Sequence, residues 1–206
     1  MKQATVGFRT HSGWATMVAV SVEKRAPHVL ARERVHLVET FTYRFRQPYH
    51  TAEKLPIGEA RKFVALAEGA AERLAHRAIH KLQSELARQG IQATRCSLLL
   101  ASGKALPNLE KILASHALIH TADGELFREA LCCAAQRSGL ATVKIRERQL
   151  LEIAQQALGS EPGALLRRLT ELGKPLGPPW SQDEKFATLA AWLAFCGIPK
   201  SAQEIR

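Results

Sequence analysis

The sequence predicts an α/β fold built on a mixed five-stranded sheet with helices on both faces. Three observations support this: an apolar hairpin at residues 4–22, a long amphipathic helix from Pro56 to about Gln89, and a short, almost continuously apolar strand at residues 94–101. Alternation of apolar residues with period two indicates half-buried strands, whereas an apolar run is typical of a parallel strand covered on both faces. Antiparallel strands should therefore come first and parallel strands later.

The predicted hairpin places polar side chains at its turn. In the first strand Val6 and Phe8 alternate with more polar residues, a short polar turn follows, and the second strand is β-branched and apolar at alternate positions. The turn should therefore display Arg9, His11 and Ser12, which we treat as candidate site residues.

The remaining elements follow from the same periodicities. Alternation at residues 28–39 predicts a third strand, antiparallel to the second, and Gly90 is expected to end the long helix. Further helices are predicted at 106–115, 124–138, 150–158, 164–172 and 180–194, and a last strand at 141–145. The length favours a single domain over residues 1–206, with residues 159–180 as a helical insertion before the terminal helix.

Composition limits the choice of partner and compartment. The 206 residues are 46% apolar and carry a formal net charge of +10. A basic surface attracts anionic partners, either nucleic acid or an acidic small molecule or protein, although the charge alone also fits simple surface basicity. The four cysteines have neither metal-site spacing nor a disulfide pattern, and no stretch resembles a signal peptide or a membrane span. We expect a bacterial cytoplasmic protein without a membrane partner or a cofactor.

Two basic segments are candidates for ligand binding. Residues 40–50 interleave aromatic residues with Arg44, Arg46 and His50, and aromatic faces stack on bases while arginines contact phosphates. The alternative is an edge-strand extension whose aromatic residues cover the sheet. The second candidate is a row on the long helix with a spacing of four residues. It consists of Arg73, Arg77 and Lys81.

A histidine pair on the long helix was weighed as a metal site. His76 and His80 are four residues apart, a spacing that can bind metal, but the sequence shows no third ligand near them. We therefore expect a solvated helix face and no metal site in the chain. Residues 102–104 have the composition of a phosphate-binding loop without its spacing, so that interpretation is rejected.

Residues 115–128 combine apolar positions with residues capable of catalysis. Thr121 or Asp123 is predicted to cap the helix at 124–138, which would place Glu125 in its first turn. His120 and Arg128 would then lie near the same helix start. The alternative is ordinary capping together with a local Glu125–Arg128 pair.

The order of elements resembles the ribonuclease H-like superfamily over residues 4–196. Residues 6–15 are similar to the first hairpin of bacterial Holliday-junction resolvases, whose turns carry glycine and small polar residues. Residues 183–191 are similar to their last helix, which begins with acidic residues and continues with alanines. The resemblance implies a central first strand with the fourth and fifth strands parallel to it.

The resemblance also implies a comparison of catalytic residues. Nucleases of the superfamily gather carboxylates from the first strand, the fourth strand and the last helix to hold two metal ions. Here the first strand offers Arg9 and His11, the fourth offers Ser102, and the last helix retains Asp183 and Glu184. A guanidinium repels the divalent cations that these carboxylates would bind. We therefore expect the fold without two-metal nuclease activity.

Two functional hypotheses follow. The first is a binding module for nucleic acid or for a protein partner, which includes a second copy of the chain. The alternative is a hydrolase or nuclease with a rebuilt active site, in which a histidine acts as general base or acid, a carboxylate orients it and an arginine stabilises an anion. The candidates for these roles are His11 or His120, Asp123 or Glu125, and Arg9 or Arg128, with Asp183 as a further catalytic candidate. Convergence of His11, Asp123 and Asp183 at the carboxyl ends of strands one and four would favour the enzyme.

Overall fold

A mixed five-stranded sheet forms the centre of the protein, as predicted. The computed structural model describes residues 1–101 and 105–197. The strands lie in the order β3-β2-β1-β4-β5, so the first strand is central. β1 pairs antiparallel with β2 and parallel with β4, β2 pairs antiparallel with β3, and β4 pairs parallel with β5. The strands are β1 (Lys2–His11), β2 (Trp14–Glu23), β3 (Ala26–His36), β4 (Ile91–Leu100) and β5 (Ala141–Arg146).

Helices cover both faces of this sheet, which also agrees with the prediction. The helices are α1 (Tyr43–Arg46), α2 (Pro48–Ala52), α3 (Ile57–Arg88), α4 (Leu109–Leu113), α5 (His116–Arg137), α6 (Leu150–Leu158), α7 (Pro162–Gly173) and α8 (Gln182–Cys196). α3 and α5 pack on one face, and α8, flanked by α6 and α7, packs on the other. No helix in the described ranges combines the length and the apolar character that a membrane crossing needs.

The period-two alternation of β1 determines which face each side chain meets. Val6 and Phe8 belong to the core under α3 and α5. The intervening positions face α8: the Thr5 hydroxyl donates to the Ala191 carbonyl oxygen at 2.7 Å, and a Cβ added to Gly7 would overlap the carbonyl oxygen of Ala187. Glycine therefore permits the close approach of α8 to the central strand. The next residue on this face is Arg9, close to the start of α8.

Two predicted elements differ from the structure. α5 begins at His116 and not at Gly124, because Ile119 and Ala122 continue the apolar face of the helix into the core. Residues 40–50 are not an edge-strand extension: the chain leaves the sheet after His36 and forms α1 and α2, with Pro48 at the first position of α2.

Other boundaries agree closely with the prediction. α6 has the predicted bounds. Ser181 caps α8 in a capping box with Glu184. α7 lies within residues 159–180, whose description as an insertion stays a prediction. The rejected phosphate loop at 102–104 and the fourth-strand position Ser102 lie outside the described residues.

Candidate functional site

The carboxyl end of β1 carries an ion cluster centred on Arg9. The Arg9 Nε and Nη2 atoms donate to Oε2 and Oε1 of Glu147 at 3.0 and 2.7 Å, and Nη1 donates to Oδ1 of Asp183. The side chains of Arg9 and Asp183 are only 17% and 20% exposed. One guanidinium thus holds two carboxylates in a partly buried setting, where paired charges interact more strongly than on the surface.

Three elements bring this cluster together. Arg9 lies on the α8 face of β1, Asp183 lies in the first turn of α8, and Glu147 immediately follows β5. The strand order places β4 between β1 and β5, so Arg9 reaches across the end of β4 to Glu147. Asp183 also benefits from the positive end of the α8 dipole.

The third partner of Asp183 is His11. The Nε2 atom of His11 lies 2.9 Å from Oδ1 of Asp183, and its ring stacks on Trp14 with 4.1 Å between centroids. Burial opposes ionisation of Asp183, but the bonds from His11 and Arg9 outweigh it and keep the pKa of Asp183 below its usual value. Hydrogen bonding to Glu147 in turn raises the pKa of Arg9, against the effect of burial. Asp183 and Arg9 therefore form a charged pair.

A strip of half-buried and exposed aromatic rings and arginines adjoins the cluster at the β1–β2 turn. We call His11, Trp14, Arg34, Phe41 and Arg46 the aromatic–arginine strip. The Arg34 guanidinium carbon lies 3.6 Å from the Trp14 ring centroid, and that of Arg46 lies 4.5 Å from the Phe41 centroid. Phe41 is 44% exposed, so its face is available to a ligand.

The turn itself helps to fix this strip. The Nε atom of Arg46 donates to the backbone oxygen of Ser12 at 3.3 Å. Arg46, Ser12 and His11 were candidates from the sequence, whereas Trp14, Arg34 and Phe41 were not. The pairing register of β2 with β3 would have indicated the contact between Arg34 and Trp14. Arg34 pairs with Thr16, so it is a diagonal neighbour of Trp14 on the same face of the sheet.

The other predicted basic residues do not form one continuous row. Arg44 packs over Phe63 at 5.2 Å and lines an apolar groove of about 350 Å³ together with Arg73. Arg77 is exposed on α3. Lys81, however, donates to both carboxylate oxygens of Glu33 on β3 at 3.0 Å, so its charge is already paired.

A histidine cluster lies on the opposite, α5 side of the sheet. His50 is buried on α2, and its Nδ1 atom lies 2.5 Å from Oδ2 of Asp123. The Tyr49 backbone N–H donates to the other carboxylate oxygen at 2.7 Å. His116 and His120 are exposed on α5, with 3.0 Å between their Nε2 atoms and with ring centroids 5.4 and 4.5 Å from that of His50. Burial raises the pKa of Asp123, while the bonds from His50 and Tyr49 oppose that rise.

This arrangement corrects two sequence predictions. Asp123 lies inside α5 and caps no helix, because the helix begins seven residues earlier than Asp123, at His116. His11 and Asp183 meet, but Asp123 bonds to His50 on the other side of the sheet, so the three do not converge.

The other candidates from residues 115–128 fall into two separate contacts, since His120 lies beside His116 and Glu125 pairs with Arg128. Glu125 and Arg128 form the local pair of the alternative interpretation, at 3.1 Å. The capping by Thr121 or Asp123 in that same interpretation is wrong, because both residues lie inside α5. His116 was not among the candidates from the sequence, although it lies four residues before His120.

Comparison with known proteins identifies the fold. The sequence matches no protein-family model and no curated protein. A structure of Thermus thermophilus RuvC superposes on this chain with a TM-score of 0.50 at 12% sequence identity. The structure of T. thermophilus RuvC in complex with Holliday junction substrate superposes with a TM-score of 0.53 at 13% sequence identity. Each comparison covers 94% of this chain and 93% of the RuvC chain. The chain therefore has a RuvC-like, ribonuclease H-like fold.

The carboxylates seen here do not fit a pair of divalent metal ions. Asp183 and Glu147 are bonded to Arg9, and Glu184 accepts the N–H and hydroxyl of Ser181 at 2.6 and 2.7 Å. Mg²⁺ needs several anionic or neutral oxygens in octahedral geometry, and a neighbouring guanidinium competes for the same oxygens. Among residues 1–101 and 105–197, this end of β1 is thus a salt-bridge cluster.

Proposed function

We propose that this protein is a nucleic-acid-binding module on a ribonuclease H-like fold that lacks two-metal nuclease activity. The observation that carries the proposal is the Arg9 guanidinium, which binds Asp183 and Glu147 where the resembled nucleases gather metal ligands. The net charge of +10 and the aromatic–arginine strip support the binding role. A structural neighbour, RuvC, has been solved in complex with Holliday junction substrate, which makes a branched DNA the first ligand to test.

The aromatic–arginine strip supplies the chemistry that a flexible nucleic acid strand requires. Phe41 is 44% exposed and offers part of its ring for base stacking, whereas the Trp14 ring lies between His11 and Arg34 and holds Arg34 in place. Arg34 and Arg46 lie beside these two rings and can contact phosphates. Unlike Arg9, neither of these arginines has a carboxylate partner among the described residues. Their charge therefore remains available to a polyanion.

Binding should depend steeply on salt, because each phosphate contact releases counterions. We would measure affinity for a four-way junction, duplex DNA, single-stranded DNA and RNA over a range of salt concentrations. Arg34→Gln/Arg46→Gln should weaken binding and reduce the slope of log affinity against log salt by about two units.

The control removes the same charge elsewhere. Arg88→Gln/Arg167→Gln alters two exposed arginines on α3 and α7 and should leave the slope close to that of the unaltered protein. Equal loss in both double variants would show that net charge, and not the strip, governs binding. Failure to bind any of the four nucleic acids at low salt would overturn the proposal.

A second candidate function rests on the His11–Asp183 contact of 2.9 Å. A carboxylate that orients a histidine beside an arginine is a possible acid–base unit for a hydrolase or nuclease without bound metal. Cleavage of nucleic acid in the presence of a chelator, lost in His11→Gln, would favour this function. A protein partner or second copy, and a bacterial cytoplasmic location, stay predictions.

A further inference from the structure

We propose that His50, His116 and His120 bind one zinc ion, with Asp123 as a positioning residue and the fourth coordination position open to water. Each histidine offers one ring nitrogen, and these atoms all lie within 4.8 Å of one another. No other group in the described ranges brings three possible metal ligands so close together. The proposal does not depend on nucleic-acid binding.

One ligand distance is already close to that of a tetrahedral site, and the others lie within 4.8 Å. With Zn–N bonds of about 2.0–2.1 Å, two ligand nitrogens lie roughly 3.3 Å apart. The Nε2 atoms of His116 and His120 are 3.0 Å apart, so small rotations of two exposed rings would bring them to ligand spacing. Their positions four residues apart place both rings on the same face of α5.

Asp123 prepares the third ligand. Its Oδ2 atom accepts from Nδ1 of His50 at 2.5 Å, which fixes the tautomer that keeps the lone pair on Nε2. The backbone N–H of Tyr49 holds the second carboxylate oxygen at 2.7 Å, so the carboxylate cannot turn away. Metal-bound histidines commonly donate their other N–H to such a carboxylate, which orients the ring and raises its basicity.

The ligand set selects the class of metal. Three imidazoles favour Zn²⁺ and similar transition ions, whereas Mg²⁺ and Ca²⁺ require oxygen ligands. The site therefore differs in both place and chemistry from the metal pair of two-metal nucleases. Since His50 belongs to α2 while the other two ligands belong to α5, a bound ion would tie α2 to α5. Binding of the ion to the folded chain would therefore increase the free energy of unfolding.

The chain contains a matched control. His76 and His80 are also exposed and four residues apart on a helix, with 6.4 Å between ring centroids. Unlike the proposed ligands, they belong to no group of three ligands among the described residues. Any zinc affinity common to surface histidine pairs will appear equally in both places.

The experiment is calorimetric titration of the untagged full chain with ZnCl₂, together with thermal unfolding with and without zinc. We expect one ion per chain and a higher Tm. His116→Gln/His120→Gln should abolish stoichiometric binding and the Tm shift, whereas His76→Gln/His80→Gln should retain both. Asp123→Asn should weaken binding by about 10- to 100-fold.

Absorption of the Co²⁺ form gives a second measurement. The intense visible bands of a tetrahedral ion are expected in the unaltered protein and in the His76→Gln/His80→Gln variant. Absence of stoichiometric binding to the unaltered protein, or equal loss in the two double variants, would overturn the proposal. Because His116 and His120 are exposed, their replacement should not prevent folding.

Discussion

The Arg9 cluster and the histidine cluster use the same pairing of histidine with aspartate but prepare opposite chemistry. At the end of β1, Asp183 accepts hydrogen bonds from both His11 and Arg9, so the Arg9 guanidinium neutralises its charge. On the α5 side, Asp123 accepts from His50, and no arginine among residues 1–101 and 105–197 bonds to it. Two further histidines lie beside the His50 ring. The Asp183 carboxylate is thus already paired with a cation. The Asp123 carboxylate bonds to Nδ1 of His50, which leaves Nε2 of that ring available to the proposed metal ion.

Among these tests, removal of the Arg9 side chain should cause the largest loss in the free energy of unfolding. Arg9→Leu leaves Asp183 and Glu147 partly buried without their shared cation, which should cost about 2–3 kcal/mol in the free energy of unfolding. Urea denaturation of the unaltered protein, Arg9→Leu and the control Arg34→Leu measures this cost. The control removes an arginine with no ion pair in the described structure and should lose about 1 kcal/mol or less. Equal losses would contradict the role given to the ion cluster.

A similar test on the α5 side should give a smaller loss. His50→Ala removes the side-chain donor from Asp123 but leaves the Tyr49 N–H in place, so one of two hydrogen bonds survives. We expect a cost of about 1–2 kcal/mol in metal-free protein. His76→Ala, at an exposed position, should change stability by less than about 0.5 kcal/mol in the same denaturation experiment. A cost no greater than that control would show that Asp123 does not depend on His50.

The pH dependence of stability should show the smallest effect. The pKa of Asp183 is lowered in the folded protein, so its ionised form stabilises the fold above the unfolded pKa of about 3.9. That contribution falls as the pH drops through the folded pKa. Asp183→Asn should therefore be less stable than the unaltered protein at pH 7, and the difference should begin to narrow near pH 4. The measurement is urea denaturation of the unaltered protein and Asp183→Asn at several pH values. The control is Glu110→Gln, which alters an exposed ion pair and should change the free energy of unfolding only slightly at every pH. A constant difference would contradict the lowered pKa.

The sheet was predictable from the sequence because its signals are local. Alternating residues identify the antiparallel strands and an apolar run identifies β4. The central position of β1, with β4 parallel to it, was implied by the resemblance to the ribonuclease H-like superfamily. The same resemblance implied that Arg9 and Asp183 lie at one end of the sheet. The contact with Glu147 was not predictable, since it depends on where β5 ends and on how far Arg9 reaches across β4.

The histidine cluster was missed because of a competing capping signal. Thr121 and Asp123 before Gly124 are typical of a helix start, whereas the apolar spacing that continues α5 back to His116 is decided by packing against the core. His50 then meets Asp123 across 73 positions of sequence, a contact that no local pattern indicates.

The central proposal is that the bonds from Arg9 to Asp183 and Glu147 take the place of a bound metal pair at the end of β1. Its most direct test is cleavage of a Holliday junction and of an RNA–DNA hybrid with Mg²⁺ or Mn²⁺, in parallel with calorimetric titration of both ions. We predict no metal-dependent cleavage and no tight binding of either ion. Metal-dependent cleavage that is lost in Asp183→Asn would contradict the account, because Asp183 would then serve a catalytic metal and not the Arg9 guanidinium.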